Sequence, residues 1–169
     1  MRLTERTAKR LPVVPDVLEL DINETEHMDA LVADLDKRWG AVDGALHAIA
    51  YAPDDALGGN FLDTPADSAA TAFLTSAFSF KTLAVGLRPL LQNAGGGGLV
   101  TLDFDNTQAW PADDWMGVAK SALQSVTRYL ARDLCEDGIR VNAVSAGPLG
   151  TVAAKSIPGF SQFQEVWAN

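Results

Sequence analysis

The period of the apolar positions changes repeatedly along this chain, and each change predicts an element. Residues 16–22, Asp-Val-Leu-Glu-Leu-Asp-Ile, alternate polar and apolar side chains and read as a strand. Met28, Leu31, Val32, Leu35 and Trp39 then recur at helical spacing. Asn23 is a natural N-cap for that helix, Glu26 stands three residues on, and Gly40 can close it. Ala45 to Tyr51 is a short continuous apolar run, as in a central parallel strand. After a loop at 52–63 rich in Gly, Asp and Pro, Thr64 as cap and Pro65 in the first turn predict a long helix reaching about Gln92. A strand at 99–104, a helix from about Ala112 to Glu136 and a strand at 139–145 complete the readable part. Arg2 to Leu11 is helix-permissive and stops at Pro12, and the tail from Gly147 to Asn169 reads as loop and short helix. Alternating strands and helices predict an α/β fold, a parallel sheet with helices on both faces. No repeat or linker divides it, so residues 1–169 are expected to form one domain.

Composition narrows the function. Of 169 residues 47% are apolar, enough for a core, and the net charge is −9. A surface that reads nucleic acid needs clustered Lys and Arg, and the sequence has no such cluster, so nucleic acid is not expected as a partner. One cysteine, Cys135, cannot form an internal disulfide or a zinc cage, and His27 and His47 lack ligand spacing. The sequence offers no apolar run of membrane-spanning length, and the opening MRLTERTAKRLP lacks a signal peptide's apolar core. A cytoplasmic setting without membrane association is the expectation.

Two stretches invite chemistry. The glycine run Gly95 to Gly98 ends a helix and precedes a strand. A phosphate loop has the opposite order, so the run is expected to be an αβ turn. The second stretch is Trp110-Pro-Ala-Asp-Asp-Trp-Met-Gly-Val-Ala-Lys120-Ser-Ala-Leu. Positions 113 and 120 are two helical turns apart, on one face and about 10 Å along the axis.

The words Asp114-Trp-Met-Gly-Val-Ala-Lys120-Ser-Ala-Leu resemble the NADH-dependent enoyl-acyl carrier protein reductase branch of the short-chain dehydrogenase/reductase family. The resemblance runs in order along nearly the whole chain. It implies that Lys120 holds the cofactor ribose and lowers the pKa of a tyrosine at position 113, which donates to the substrate oxygen. The plain alternative for Lys120 is a side chain snorkelling to solvent. Position 113 departs from the family: Asp113 stands where the tyrosine belongs. A tyrosine, with a pKa of about 10, is a neutral donor at pH 7, whereas an ionised aspartate only accepts. Loss of one oxyanion donor costs on the order of 10²–10³ in rate. Asp113 can donate only if burial keeps it protonated. Tyr129 falls on the opposite face of the helix, and Tyr51, near the expected crevice, reads as an aromatic wall rather than a substitute acid.

Other positions fit the same likeness. Asp21 and Ile22 are expected at the adenine, and Ala48, Ile49 and Ala50, after His47, along the cofactor. Phe104, in Leu102-Asp103-Phe104, is expected to line the substrate pocket and so joins Asp113 and Lys120 in the implied catalytic set. Within Arg140-Val-Asn-Ala-Val-Ser-Ala-Gly-Pro148 the backbone at Gly147 and Pro148 is expected to reach the nicotinamide amide, with Thr151 at a phosphate.

The resemblance implies an incomplete doubly wound, Rossmann-like sheet that lacks the first two strands and the glycine-rich turn between strand and helix. Those strands would lie between the strands at 17–21 and 45–51. Open edges, association through them or a homo-oligomer, and weakened NADH binding are expected. The implied reaction is hydride transfer from NADH to the β-carbon of a trans-2-enoyl thioester on acyl carrier protein, in fatty-acid biosynthesis, with this chain impaired or inactive. The alternative is a non-catalytic pseudoenzyme or gene fragment that binds an acyl chain or a related subunit. A 3-oxoacyl reductase fits the Trp-Met-Gly-Val-Ala-Lys wording less well.

Overall fold

A computed structural model describes residues 2–147 and 149–151. Its helices are α1 (Arg2–Ala8), α2 (Thr25–Trp39), α3 (Ala66–Phe73), α4 (Ser79–Asn93) and α5 (Asp114–Leu134). The strands β1 (Gly44–His47), β2 (Gly97–Asp103) and β3 (Ile139–Ser145) form one parallel sheet in the order β1-β2-β3, as an α/β reading requires.

Among the described residues, helices cover one face of this sheet only. On β2, Leu99, Thr101 and Asp103 are buried, and Ile139 and Val141 of β3 join them beneath α4 and α5. On the other face Leu46 is 59%, Leu102 39% and Val144 50% exposed. The expectation of helices on both faces is corrected by handedness. Successive right-handed crossovers that step the same way across a sheet leave all their helices on one side. Helix α2 leans on α4, with Met28 in contact distance of Gly86.

The strand expected at 16–22 does not form. A strand needs a neighbour to take its N–H and C=O groups, and among the described residues none lies beside it. The segment is fixed otherwise. Asp16 pairs with Arg38 at 2.7 Å, and Leu20 and Ile22 turn into the main core. Asn23 does not cap α2, whose N-cap is Glu24. Its N–H donates to Asp21 Oδ1 at 3.0 Å, and its side-chain amide donates to Thr75 Oγ1 at 3.0 Å. Gly40 closes α2 with φ 69°, as read from the sequence.

Between α3 and α4 the expected long helix carries a π turn, Leu74–Phe78. Thr64 does not cap it; the Thr64 hydroxyl instead lies 2.9 Å from both the Asp55 and Asn60 carbonyl oxygens. By length and composition alone, Ala66–Asn93 could cross a membrane, which corrects the expectation that no such segment exists. Half of its apolar window is buried inside the protein, where Phe80, Leu83, Leu87, Leu90 and Leu91 form much of the core. The glycine run is the αβ turn expected of it. Gly95 and Gly96 have φ of 81° and 116°, and a Cβ on Gly97 would lie 2.5 Å from the Asp43 carbonyl oxygen.

Candidate functional site

The candidate site is built around the start of α5. Asp113 is the residue before the helix, between two non-glycine residues with positive φ, Ala112 (62°) and Asp114 (45°). Such backbone costs about 1–3 kcal/mol per residue and persists where surroundings enforce it. Here the enforcement is a clamp. Asp114 Oδ2 accepts from the Gly59 and Asn60 N–H groups at 2.6 and 2.9 Å, and the Gly58 N–H donates to the Ala112 carbonyl at 3.0 Å. The Trp115 indole donates to the Phe61 carbonyl at 3.3 Å, and the two rings stack 5.3 Å apart. Loop and helix start are thereby one unit.

A cavity of about 590 Å³ opens against this unit. Phe61, Phe104, Trp110 and Val118 give it apolar walls, Asn106, Gln108 and Ser121 a polar side, and Asp113 an acid. Phe104 therefore stands at a pocket beside Asp113. The Asp113 side chain is only 7% exposed, and its pKa is pushed up to about 7, by burial first and by the neighbouring Asp114 second, with Lys120 opposing. A carboxyl with that value is about half protonated at neutral pH and can donate a hydrogen bond.

Lys120 does not snorkel. It is 5% exposed, and its ammonium donates to the Leu102 carbonyl at 2.7 Å, near the carboxyl end of β2. Burial pushes its pKa down, while Asp103 and Asp113 hold it up. The lysine does not line the cavity that Asp113 lines. The two residues therefore share an electrostatic neighbourhood rather than one hollow.

His47 ends β1 and is 1% exposed. Its Nε2 lies 2.8 Å from Ser79 Oγ and its Nδ1 2.8 Å from Thr101 Oγ1. Ser79 already donates to the Thr75 carbonyl at 2.6 Å, which favours the tautomer that donates from Nε2; the Thr101 hydroxyl then has both Nδ1 at 2.8 Å and, more weakly, the His47 carbonyl at 3.4 Å as acceptors. Burial, then the charge of Lys120, lowers its pKa to about 4, so the ring is neutral. Ser76, on the π turn, grips the chain just past β1. Its hydroxyl donates to the Tyr51 carbonyl at 2.8 Å and accepts the Tyr51 N–H at 2.9 Å.

The remaining expected positions scatter. Asp21 is exposed, with its carboxylate taken by the Asn23 N–H. Ile22 is 6% exposed and faces the core rather than a ligand. Ala48 and Ala50 are exposed, and Ile49 packs partly on the core. Tyr51 is 56% exposed and lines no part of the cavity; Tyr129, 59% exposed, lies under Arg132. Gly147 is half-buried and Thr151 exposed, while Pro148 falls outside the described residues. The sequence reading missed Asp103, Asp114, Gln124 and Phe61. Asp-Asp before a helix was the one visible hint of the Asp114 clamp.

Of the residues that a dinucleotide would need, the described part of the chain offers a buried cation. Lys120 supplies a buried cation where the carboxyl ends of β1 and β2 meet, the place where parallel sheets bind nucleotides. Among the described residues no glycine turn follows a strand and opens a helix, so they supply no pyrophosphate seat.

Comparison with known proteins gives a consistent answer. The family model described as enoyl-(acyl carrier protein) reductase matches residues 1–169. The NADH enoyl-acyl-carrier-protein reductase of Mycolicibacterium smegmatis is 40% identical over 163 residues, which is 94% of this chain and 60% of that enzyme. Its Haemophilus influenzae counterpart is 41% identical over 149 residues, 86% of this chain and 56% of the relative. The chain thus spans about 60% of the length of such relatives or less. The crystal structure of the Bacillus cereus enoyl-acyl carrier protein reductase with NADP+ and an indole naphthyridinone superposes with a TM-score of 0.91 at 33% identity, covering 99% of this chain and 66% of that one. On the full-length family match, this chain belongs to the enoyl-(acyl carrier protein) reductase family.

Proposed function

We propose that this chain carries the substrate side of an NADH-dependent enoyl-acyl carrier protein reductase site, in a form with weakened cofactor binding. The observation that carries the proposal is the buried Asp113 beside the cavity, in the electrostatic reach of a buried Lys120; on this reading it stands where the family resemblance implies a tyrosine.

NADH, when bound, supplies the hydride for the β-carbon of a trans-2-enoyl thioester. Negative charge then builds on the thioester oxygen, and the protein must meet it with a donor. Asp113 does this in its acid form, donating its proton towards that oxygen; once ionised it repels the charge instead. Lys120 would hold the ribose hydroxyls of the bound cofactor and, by its charge, favours loss of the Asp113 proton as the oxygen takes it up. Phe104 and Phe61 offer the acyl chain an apolar wall. Ser76 and His47 hold the end of β1 in place, His47 as a neutral ring that adds no charge. Acyl carrier protein as substrate donor, a cytoplasmic setting, and association as a homo-oligomer or through the open β1 edge belong to the same proposal.

The test is fluorescence titration of the purified chain with NADH, followed by NADH oxidation with an enoyl thioester between pH 5 and 9. Weak binding and a slow rate that falls as pH rises through 7 are expected, with Asp113→Tyr lifting the alkaline limb. Absence of NADH-dependent reduction at every pH, in both proteins, would overturn the reading in favour of a non-catalytic binding protein.

A further inference from the structure

One side chain organises the loop that follows β2. Asp105 Oδ1 accepts from the Thr107 N–H at 3.1 Å and from the Thr107 hydroxyl at 2.8 Å. Its Oδ2 accepts from the Trp110 indole N–H at 3.2 Å. Asn106 ties the same loop to α5: its Oδ1 accepts from the Ser121 hydroxyl at 3.2 Å, and its amide donates to the Phe104 carbonyl at 3.3 Å. The loop is thus closed on itself and on the helix.

Trp110 has the largest side chain of those that line the cavity, and it is half-buried. An indole on a loop has several staggered positions open to it, and the bond to Asp105 selects one of them. Asp105 itself does not line the cavity, so it acts there through Thr107 and Trp110. The Trp110 carbonyl also accepts the Asp113 N–H at 3.4 Å, which sets the indole's backbone beside that of the acid. An alkyl chain gains free energy with each methylene it buries, so the place of this wall decides how much chain the cavity can take.

We propose that Trp110 is a specificity-determining wall, which limits the length of acyl chain that the cavity buries, and that Asp105 is the positioning residue that latches it there. The choice of an acyl ligand rests on the reductase reading.

The experiment is calorimetric titration of the whole chain with the N-acetylcysteamine thioesters of octanoic and dodecanoic acid. Both are neutral and saturated, so Asp113 does not repel them and nothing is reduced. Trp110→Ala removes the wall and should raise affinity for the dodecanoyl relative to the octanoyl ester on the order of tenfold, the gain from burying about two further methylenes. Asp105→Asn keeps an oxygen for Thr107 but turns its NH₂ to the indole N–H, donor against donor. Trp110→Phe keeps a ring and loses the N–H. Each should move the ratio the same way by less, and Asp105→Asn should add nothing to Trp110→Phe, because both break one bond. Val118, 44% exposed on α5, lines the same cavity, and Val118→Trp should fill it and abolish binding of both esters. The proposal is overturned by an unmoved ratio in Trp110→Ala, by additive effects of Asp105→Asn and Trp110→Phe, by binding that survives in folded Val118→Trp, or by a parent chain that binds neither ester. No reading needs NADH. A shifted ratio in a chain that never oxidises NADH leaves the inference standing while the reductase reading fails, and turnover with an unmoved ratio does the reverse.

Discussion

The ammonium of Lys120 lies 2.7 Å from the carbonyl oxygen of Leu102, inside the protein and not at its surface. That contact joins α5 to β2 through a charge, and a charge so placed must be balanced nearby. Lys120→Met keeps much of the stem's volume but removes the balance for the buried acids. We expect a loss of about 3 kcal/mol at pH 8 and a smaller one at pH 5, where Asp113 holds its proton, measured by urea unfolding.

Asp113 itself should oppose stability at high pH. Its folded-state pKa, about 7, lies above the unfolded value of 3.8. The folded form then binds the proton more tightly, and stability falls as pH rises from about 4 to about 7. The accumulated loss is up to about 4 kcal/mol. Asp113→Asn should remove that slope, so the variant gains on the parent at pH 8 and gains little at pH 4, as urea midpoints at the two pH values will register.

His47 gives the reverse dependence. Its folded-state pKa of about 4 lies below the unfolded 6.5, so the unfolded chain binds the proton first as pH falls. Stability should drop between pH 6.5 and 4 by about 3 kcal/mol. His47→Leu should flatten this acid limb while costing about 1–3 kcal/mol at pH 7.5, because Ser79 and Thr101 lose a partner. Thermal unfolding across that range reads both effects.

The glycines of the αβ turn should respond by position. A Cβ on Gly97 meets backbone at Asp43 and the Leu91 side chain at 2.5 and 2.7 Å, whereas one on Gly95 meets nothing within 4 Å and bears only the strain of φ 81°. Gly95→Ala should cost about 1 kcal/mol, and Gly97→Ala at least twice that, in parallel denaturation curves.

These contrasts mark what a sequence reveals. Strand β3 was legible residue for residue, because Ile139 to Ser145 has both its pattern and its neighbour β2 within the chain. The strand expected at 16–22 had the pattern without a neighbour, and a ladder cannot form alone. Lys120 and Phe104 were singled out through local wording, and the structure buries the one and sets the other at the cavity. Asp103, Gln124 and the His47–Ser79–Thr101 cluster were not, since each partner lies 21 to 54 residues away and only the fold brings them together. The Asp113 acid is the instructive case. The resemblance placed it where a tyrosine was expected, but its protonation depends on burial and on the nearby charge of Asp114, which is itself held by Gly59 and Asn60, and neither can be read from the sequence.

The protonation of Asp113 is the point on which the proposed chemistry turns, and a carboxyl-¹³C titration of the unmodified chain measures it directly. The account predicts a midpoint near pH 7 for this residue. A midpoint near 4, the value of an ordinary solvated aspartate, would contradict it.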